Sequence, residues 1–98
     1  KGNSMYASSK GALDTLTKTL ATELKPVRVN SILPGAIKTQ MSSHIFSDEN
    51  FMEKFDQNYL LGEGSVEDIS NMVSFLTSQK SKWITGQNLV IDGGYSSH

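Results

Sequence analysis

The stretch VRVNSILPG at residues 27–35 decides the fold of this chain. Its β-branched and apolar side chains predict a short, buried strand over residues 27–33, which stops at a proline–glycine turn signal. A second stretch, GQNLVID at residues 86–92, predicts another strand with residues 89–91 as its buried centre. Because a helix is predicted between the two strands, we expect them to form a parallel, right-handed unit.

The longest predicted helix, residues 5–25, precedes the first strand. Asn3 or Ser4 is expected to cap its start. Pro26 ends it, because the residue before a proline avoids helical geometry. Residues 36–46 show no periodicity and are expected to form a loop. The leucines of the helix recur at three- and four-residue steps and form one apolar stripe, made of Leu13, Leu16, Leu20 and Leu24.

Two shorter helices are predicted between the strands. The first begins near Ser47, with acidic residues in its first turn, where they favour the helix dipole. Its apolar side is formed by Phe51, Met52 and Phe55. The second begins at a capping box of Ser65 and Asp68 and runs to about residue 78. The apolar face of this second helix is formed by Ile69, Met72, Val73 and Leu76.

The order helix, strand, helix, helix, strand places the chain in the α/β class. Two parallel strands do not form a stable sheet by themselves, and a parallel sheet needs cover on both faces. Either this segment is part of a larger sheet, or it associates with copies of itself. Trp83, close to the second strand, is expected to pack with its indole N–H on a carbonyl group.

The composition excludes several classes of function. The net charge is -1 and the charges are mixed along the 98 residues, so no basic patch for nucleic acid is present. No apolar run approaches the roughly 20 residues that cross a membrane. The absence of cysteine excludes disulfides and thiolate zinc sites and fits a reducing cytoplasm. His44 and His98 have no partner at a ligand spacing, so no metal site is predicted.

Tyr6 and Lys10 are the residues best suited to chemistry, since a spacing of four places them on one face of the predicted helix. A tyrosine with an ordinary pKa of about 10 is a poor base, and a neighbouring ammonium group lowers that pKa. Such a tyrosine can take a proton from an alcohol or give one to a carbonyl. The alternative is a half-buried tyrosine beside a solvated lysine.

The sequence around this pair resembles one family along nearly the whole chain. YASSKGAL at residues 6–13 is similar to the active-site helix of the short-chain dehydrogenase/reductase family. The resemblance continues in the same order with VRVN and its proline–glycine turn, AIKT at residues 36–39, ITGQ at 84–87 and IDGG at 91–94. It implies the C-terminal part of a Rossmann-like, doubly wound parallel sheet. Residues 40–64 match less closely.

The resemblance also implies roles for individual residues. Tyr6 would donate and accept the proton, and Lys10 would lower its pKa and bind the nicotinamide ribose of NAD or NADP. Pro34 and Gly35 would shape the turn beside the nicotinamide, and the backbone of Ile37 would meet the carboxamide. Tyr6 would also contact the cofactor. The hydroxyl of Thr39 would bind the carboxamide or diphosphate; its alternative is a solvated loop hydroxyl.

Parts of the family pattern are missing from residues 1–98. A glycine-rich turn for the pyrophosphate and a catalytic serine upstream of the tyrosine are not found. The chain is therefore expected to be a C-terminal fragment of one domain, without the N-terminal dinucleotide-binding half and without a competent cofactor site of its own.

The parent protein is then expected to be a cytoplasmic, homo-oligomeric (dimeric or tetrameric) NAD(P)-dependent oxidoreductase for a carbonyl or alcohol substrate. The substrate itself stays open. The alternatives are a non-catalytic association module that uses the leucine stripe, and a degenerate relative that binds nucleotide without chemistry.

Overall fold

The computed structural model describes residues 3–37, 44 and 47–97, without the side chains of Asn3, Tyr6 and Asp56. Short 3₁₀ helices lie at Gln79–Ser81 and Tyr95–Ser97. The predicted order of the main elements is confirmed. These elements are helix α1 (Asn3–Glu23), strand β1 (Ser31–Pro34), helix α2 (Glu49–Asn58), helix α3 (Val66–Leu76) and strand β2 (Asn88–Ile91).

β1 and β2 pair as a two-stranded parallel sheet within the described residues. The Ser31 amide donates to the Gln87 carbonyl, and the Gly35 amide donates to the Ile91 carbonyl, both at 2.9 Å. Both bonds join residues separated by the same number of positions, as parallel strands require. The prediction of a parallel strand–helix–strand unit is therefore confirmed.

Both strands are shorter and more exposed than the sequence predicts. Residues 27–30 are not in β1, because side chains replace two of the backbone–backbone hydrogen bonds that a longer ladder would need. The Val29 amide donates to Thr85 Oγ1 at 3.0 Å, and Asn30 Oδ1 accepts from the Gln87 amide at 3.0 Å. Residues 31–33 and 88–91 are only half-buried, so the expectation of buried strands is wrong. In the described sheet each strand has a single neighbour, which leaves its faces partly uncovered.

α1 begins earlier and ends earlier than predicted. Asn3 and Ser4 are part of the helix rather than its caps, and the last helical residue is Glu23. The chain then turns before Pro26, with the Val27 amide donating to the Leu24 carbonyl at 2.8 Å. The leucine stripe is unevenly covered, because two of its members are half-buried whereas Leu16 and Leu24 remain 54% and 48% exposed.

The two shorter helices begin at capped residues. α2 is capped by Asp48 rather than by Ser47, since the Asp48 carboxylate accepts from the amides of Asn50 and Phe51. The capping box of α3 is confirmed, because Asp68 Oδ2 accepts from the Ser65 amide at 2.7 Å and from its hydroxyl at 3.1 Å. Leu76 of α3 is buried, while Val73, predicted on the same apolar face, is 45% exposed.

The chain divides into two compact units: unit 1 comprises Lys1–Leu33 and Ser74–Leu89, and unit 2 comprises Pro34–Val73 and Val90–His98. In unit 1, Arg28 Nη1 donates to the Leu76 carbonyl at 2.9 Å and to the hydroxyl of the buried Ser81 at 3.1 Å. Arg28 Nη2 donates to the Ser78 carbonyl at 3.3 Å. This guanidinium therefore satisfies the carbonyls where α3 ends.

Unit 1 also presents apolar side chains to solvent. Trp83 is 95% exposed, so the expectation that it packs against the protein is wrong. No helix within the described residues has the length and apolar character needed to cross a membrane.

Unit 2 contains a stack of three aromatic rings. Phe55, 4% exposed, stacks on Tyr59 with ring centroids 4.2 Å apart and an interplanar angle of 9°. Tyr59 in turn stacks on Tyr95, at 4.9 Å and 28°. The predicted apolar side of α2 is thus confirmed at Phe55, while Phe51 and Met52 are half-buried.

Candidate functional site

α1 contains the predicted tyrosine–lysine pair. Tyr6 and Lys10 both lie within its continuous helical part, in unit 1. Residues four apart on a helix share a face, one turn from each other. The backbone requirement for the pair is therefore met, while the Tyr6 side chain lies outside the described part of the structure.

The Lys10 side chain is exposed, and its ammonium has no partner among the described residues. Lys18, two turns further along α1, is different. Its ammonium donates to Asp14 Oδ1 at 3.1 Å and to the Gly86 carbonyl at 3.2 Å. Within the described residues, Lys18 thus donates to groups of the fold, whereas the three donors of the Lys10 ammonium have no acceptor.

Polar side chains connect the Lys10 turn of α1 to both strands within unit 1. Asn88 Nδ2 donates to the Lys10 carbonyl at 3.4 Å, and Asn88 Oδ1 accepts from the Ser31 hydroxyl at 3.0 Å. The Ser31 oxygen lies 2.8 Å from the hydroxyl of Thr17, which is 2% exposed. This chain of hydrogen bonds fixes α1 against the sheet, and with it the helical turn that carries Lys10.

The predicted cofactor turn lies in unit 2. Pro34 is the last residue of β1 and is exposed, and Gly35 follows it. Ile37 pairs with Gly64 in an isolated parallel bridge. The structure therefore groups Pro34, Gly35 and Ile37 in one segment, whereas Tyr6 and Lys10 belong to unit 1. Thr39 lies outside the described residues.

Gly35 lies where no side chain fits. A Cβ atom at this position would lie 2.9 Å from both Asp92 Cα and Tyr59 Cε1. This distance is shorter than an ordinary van der Waals contact, and one of the two atoms belongs to the backbone, which cannot easily move away. The close approach gives a steric reason for glycine after Pro34, beyond ending the strand.

A cavity of about 360 Å³ opens beside this turn in unit 2. Backbone from the turn forms one part of its wall, and the charged residues in its lining are all carboxylates. The Asp92 carboxylate, 8% exposed, accepts from the amides of Gly94 and Ser96. The lining consists of Gly35, Ala36, Ile37, Tyr59, Leu61, Glu63, Gly64, Asp68, Ile91, Asp92 and Gly93.

Each unit by itself offers groups that suit part of a nicotinamide dinucleotide. In unit 1, the exposed Lys10 ammonium can donate to hydroxyl groups such as those of a ribose. In unit 2, the turn offers backbone at a cavity wall. A pyrophosphate requires cationic groups or a glycine-rich helix start. The described lining contains no cation, and its carboxylates disfavour an anion. Among the described residues no cluster of metal ligands occurs either.

Tyr59 was not predicted from the sequence as a cavity residue. Phe51, Phe55 and Tyr59 recur every four residues, and this spacing predicts an aromatic stripe that continues past the end of α2. The carboxylates Glu63 and Asp92 were also not identified as cavity residues, and no local pattern distinguishes them.

Comparison with known proteins identifies the family. The family model described as enoyl-(acyl carrier protein) reductase matches residues 1–96. The human protein dehydrogenase/reductase SDR family member 4 is 42% identical over 99 aligned residues, which cover 98% of this chain and 36% of that protein. The chain belongs to the short-chain dehydrogenase/reductase family, and the resemblance stated from the sequence is confirmed.

Solved structures agree with this family and its Rossmann-type fold. A 4-hydroxyisoleucine dehydrogenase complexed with NADH superimposes with a TM-score of 0.84 and 40% identity, covering 95% of this chain and 40% of that one. A gluconate 5-dehydrogenase from Burkholderia cenocepacia, in complex with NADP and tartrate, gives 0.78 and 29%, covering 95% and 38%. The chain thus spans about two-fifths of the length of these relatives.

Proposed function

We propose that this chain is part of an NAD(P)-dependent oxidoreductase that interconverts a carbonyl and an alcohol in a small molecule. One observation carries the proposal. α1 places Tyr6 and Lys10 one turn apart, and the Lys10 ammonium has no partner among the described residues. Solved members of the family bind NADH or NADP, which supports the choice of cofactor.

Each residue of the pair has a defined task in this proposal. Tyr6 gives its phenolic proton to the carbonyl oxygen during reduction and takes a proton from the hydroxyl during oxidation. The Lys10 ammonium favours the phenolate through its charge and donates hydrogen bonds to ribose hydroxyls. Bound NAD(P) supplies or accepts the hydride, so the protein provides position and charge.

The turn after β1, in unit 2, contains the other residues that we propose for the nicotinamide. Pro34 and Gly35 shape it, the backbone of Ile37 would bind the carboxamide, and the Thr39 hydroxyl would bind the carboxamide or diphosphate. The pyrophosphate requires residues outside this chain, in keeping with relatives that are more than twice as long. We therefore assign the activity to a whole protein of which these residues are the C-terminal part, and expect the 98-residue chain alone to be inactive.

The proposal is tested by Tyr6→Phe in the whole protein, assayed with NADH and NADPH on any ketone that the unmodified protein reduces. The variant keeps the ring and removes the transferable proton, so kcat should fall at least 100-fold, since general acid catalysis contributes about 10²–10⁴. A loss of less than tenfold would contradict the role of Tyr6.

Two lysine variants sharpen this test. Lys10→Met should lower kcat and weaken binding of NADH or NADPH, because both proposed tasks of the ammonium disappear. Lys18→Met is the matched control. It removes an equally long cation from the same helix, and the Lys18 ammonium already has partners in the fold. Equal effects of the two substitutions would contradict a specific role for Lys10.

A second proposal, self-association, follows from the exposed apolar residues of unit 1. Leu16, Leu24 and Trp83 are 54%, 48% and 95% exposed, and burial of such side chains favours contact between copies. We propose that the protein is a homo-oligomer, dimeric or tetrameric. The alternative to catalysis is that the 98-residue chain serves only for association. The 98 residues contain no cysteine, which suits a reducing cytoplasm, and we propose the cytoplasm as the compartment of the protein. Sedimentation of the whole protein as a monomer at micromolar concentration would contradict self-association.

A further inference from the structure

We propose that Tyr59 is a positioning residue that holds the turn at residues 34–37 in the geometry needed for the nicotinamide. This inference rests on the proposed function, because it takes that turn as the cofactor turn. It concerns one side chain of unit 2 and its contacts with the turn, all of which lie within that unit.

Three successive residues of the turn each make a backbone contact with a different segment. The Gly35 amide donates to the Ile91 carbonyl at 2.9 Å, and Ile37 pairs with Gly64. Between them, the Ala36 amide donates to the Tyr59 hydroxyl oxygen at 3.1 Å. The contacts of Gly35 and Ile37 join backbone to backbone and do not depend on which side chains are present. The hydrogen bond of the Ala36 amide, in contrast, requires a hydroxyl at position 59.

The Tyr59 ring is itself held in place from several directions. It lies between the rings of Phe55 and Tyr95 at centroid distances of 4.2 and 4.9 Å. Its backbone amide donates to the Phe55 carbonyl at 2.8 Å, which closes the end of α2, and its carbonyl accepts from the Gly62 amide at 3.0 Å. Little conformational entropy therefore remains to be lost when the hydroxyl binds the turn.

The same ring contacts the turn sterically. Any Cβ atom at position 35 would lie 2.9 Å from Tyr59 Cε1, so the ring edge touches the turn where glycine is required. Tyr59 also belongs to the cavity wall together with Gly35 and Ala36. The residue thus combines a hydrogen bond and a packing contact on one short segment.

The hydrogen bond fixes the orientation of a peptide plane. A trans peptide is planar, and its N–H and C=O groups point in opposite directions. Because the Ala36 amide points toward the Tyr59 hydroxyl, the Gly35 carbonyl points away from it. Loss of the hydroxyl frees this plane to rotate, so the backbone at the cavity wall becomes heterogeneous and binds a ligand more weakly.

The test is Tyr59→Phe in the whole protein, which removes the hydroxyl and keeps the aromatic stack. Without cofactor, hydrogen–deuterium exchange of the Ala36 amide should become at least fivefold faster. The Kd values for NADH and NADPH should rise about fivefold, the size expected for one lost hydrogen bond of about 1 kcal/mol. The kcat value at saturating cofactor should stay within twofold, so the effect appears in KM for the cofactor.

Tyr95→Phe is the matched control, because it removes the other hydroxyl of the same stack from a residue that is not among the described residues lining the cavity. It should change neither Ala36 exchange nor cofactor Kd by more than twofold. If Tyr59→Phe leaves both quantities within twofold, or if Tyr95→Phe changes them equally, the inference is overturned while the proposed function stands. If the unmodified protein binds neither NADH nor NADPH, the proposed function fails and the inference fails with it.

Discussion

Unit 1 and unit 2 are stabilised by different kinds of contact. In unit 1, polar side chains connect the elements. The Arg28 guanidinium donates to three carbonyls and a buried hydroxyl. Thr17, Ser31 and Asn88 join α1 to the strands. In unit 2, aromatic rings stack and glycines allow close backbone approach. Large apolar side chains are exposed in both units, up to 95% at Trp83 in unit 1 and 84% at Leu61 in unit 2.

The two kinds of contact suit different tasks: the polar contacts of unit 1 position a helix, and the packing of unit 2 leaves a cavity for a ligand. A polar network is directional, so unit 1 sets the place of the helix that carries Tyr6 and Lys10. Its exposed apolar side chains are the ones that we propose for self-association. A stack of rings next to glycines leaves concave space, so unit 2 contains the described cavity. The following three substitutions test this contrast, from the largest expected effect on stability to the smallest.

The largest effect is expected for Arg28→Met, which removes every donor of the guanidinium at the end of α3. The Leu76 and Ser78 carbonyls lose hydrogen bonds to a charged group, so the free energy of unfolding should fall by about 3 kcal/mol. Urea denaturation measures this. Lys18→Met, the control, removes an exposed cation of the same unit and should cost less than about 0.5 kcal/mol. A loss below 1 kcal/mol for Arg28→Met would show that the polar network does not stabilise unit 1.

Gly35→Ala should lower the free energy of unfolding by about 1–3 kcal/mol, because its Cβ atom would lie 2.9 Å from the Asp92 backbone and the Tyr59 ring. Gly11→Ala is a control of opposite sign. A Cβ atom at Gly11 meets nothing within 4 Å, and alanine is the better residue inside a helix, so stability should rise by about 0.5–1 kcal/mol. The two changes in melting temperature should therefore have opposite signs, and equal signs would disprove the close packing at Gly35.

The smallest effect on stability is expected for Trp83→Ser, within about 0.5 kcal/mol, because the side chain is 95% exposed. Its effect on self-association should be large, with the dissociation constant of the oligomer raised at least tenfold in sedimentation experiments. Leu61→Ser, which alters an 84% exposed side chain of unit 2, should leave the oligomer unchanged. If both variants dissociate the oligomer equally, association is not a property of unit 1.

Features that depend on neighbours in sequence were predicted well. The capping box at Ser65 is confirmed, because it involves residues three positions apart. α2 was predicted to begin near Ser47, and its cap is Asp48. Serine and aspartate are both common cap residues, and only the structure shows that the Ser47 hydroxyl donates to the His44 carbonyl instead. The predicted strand at residues 27–33 was too long because side chains distant in sequence bind the backbone there. Thr85 Oγ1 accepts from the Val29 amide, and Asn30 Oδ1 accepts from the Gln87 amide.

The sequence by itself determined the family, the parallel strand–helix–strand order, and the placement of Tyr6 and Lys10 one turn apart. All of these follow from local spacing, or from several short motifs in a fixed order. Only the tertiary structure decided that Lys18 donates to the Gly86 carbonyl whereas the Lys10 ammonium has no partner among the described residues, that Trp83 faces solvent, and that Tyr59 binds the turn at Ala36. These facts depend on residues that are distant in sequence and meet only when the chain folds, so no local pattern contains them.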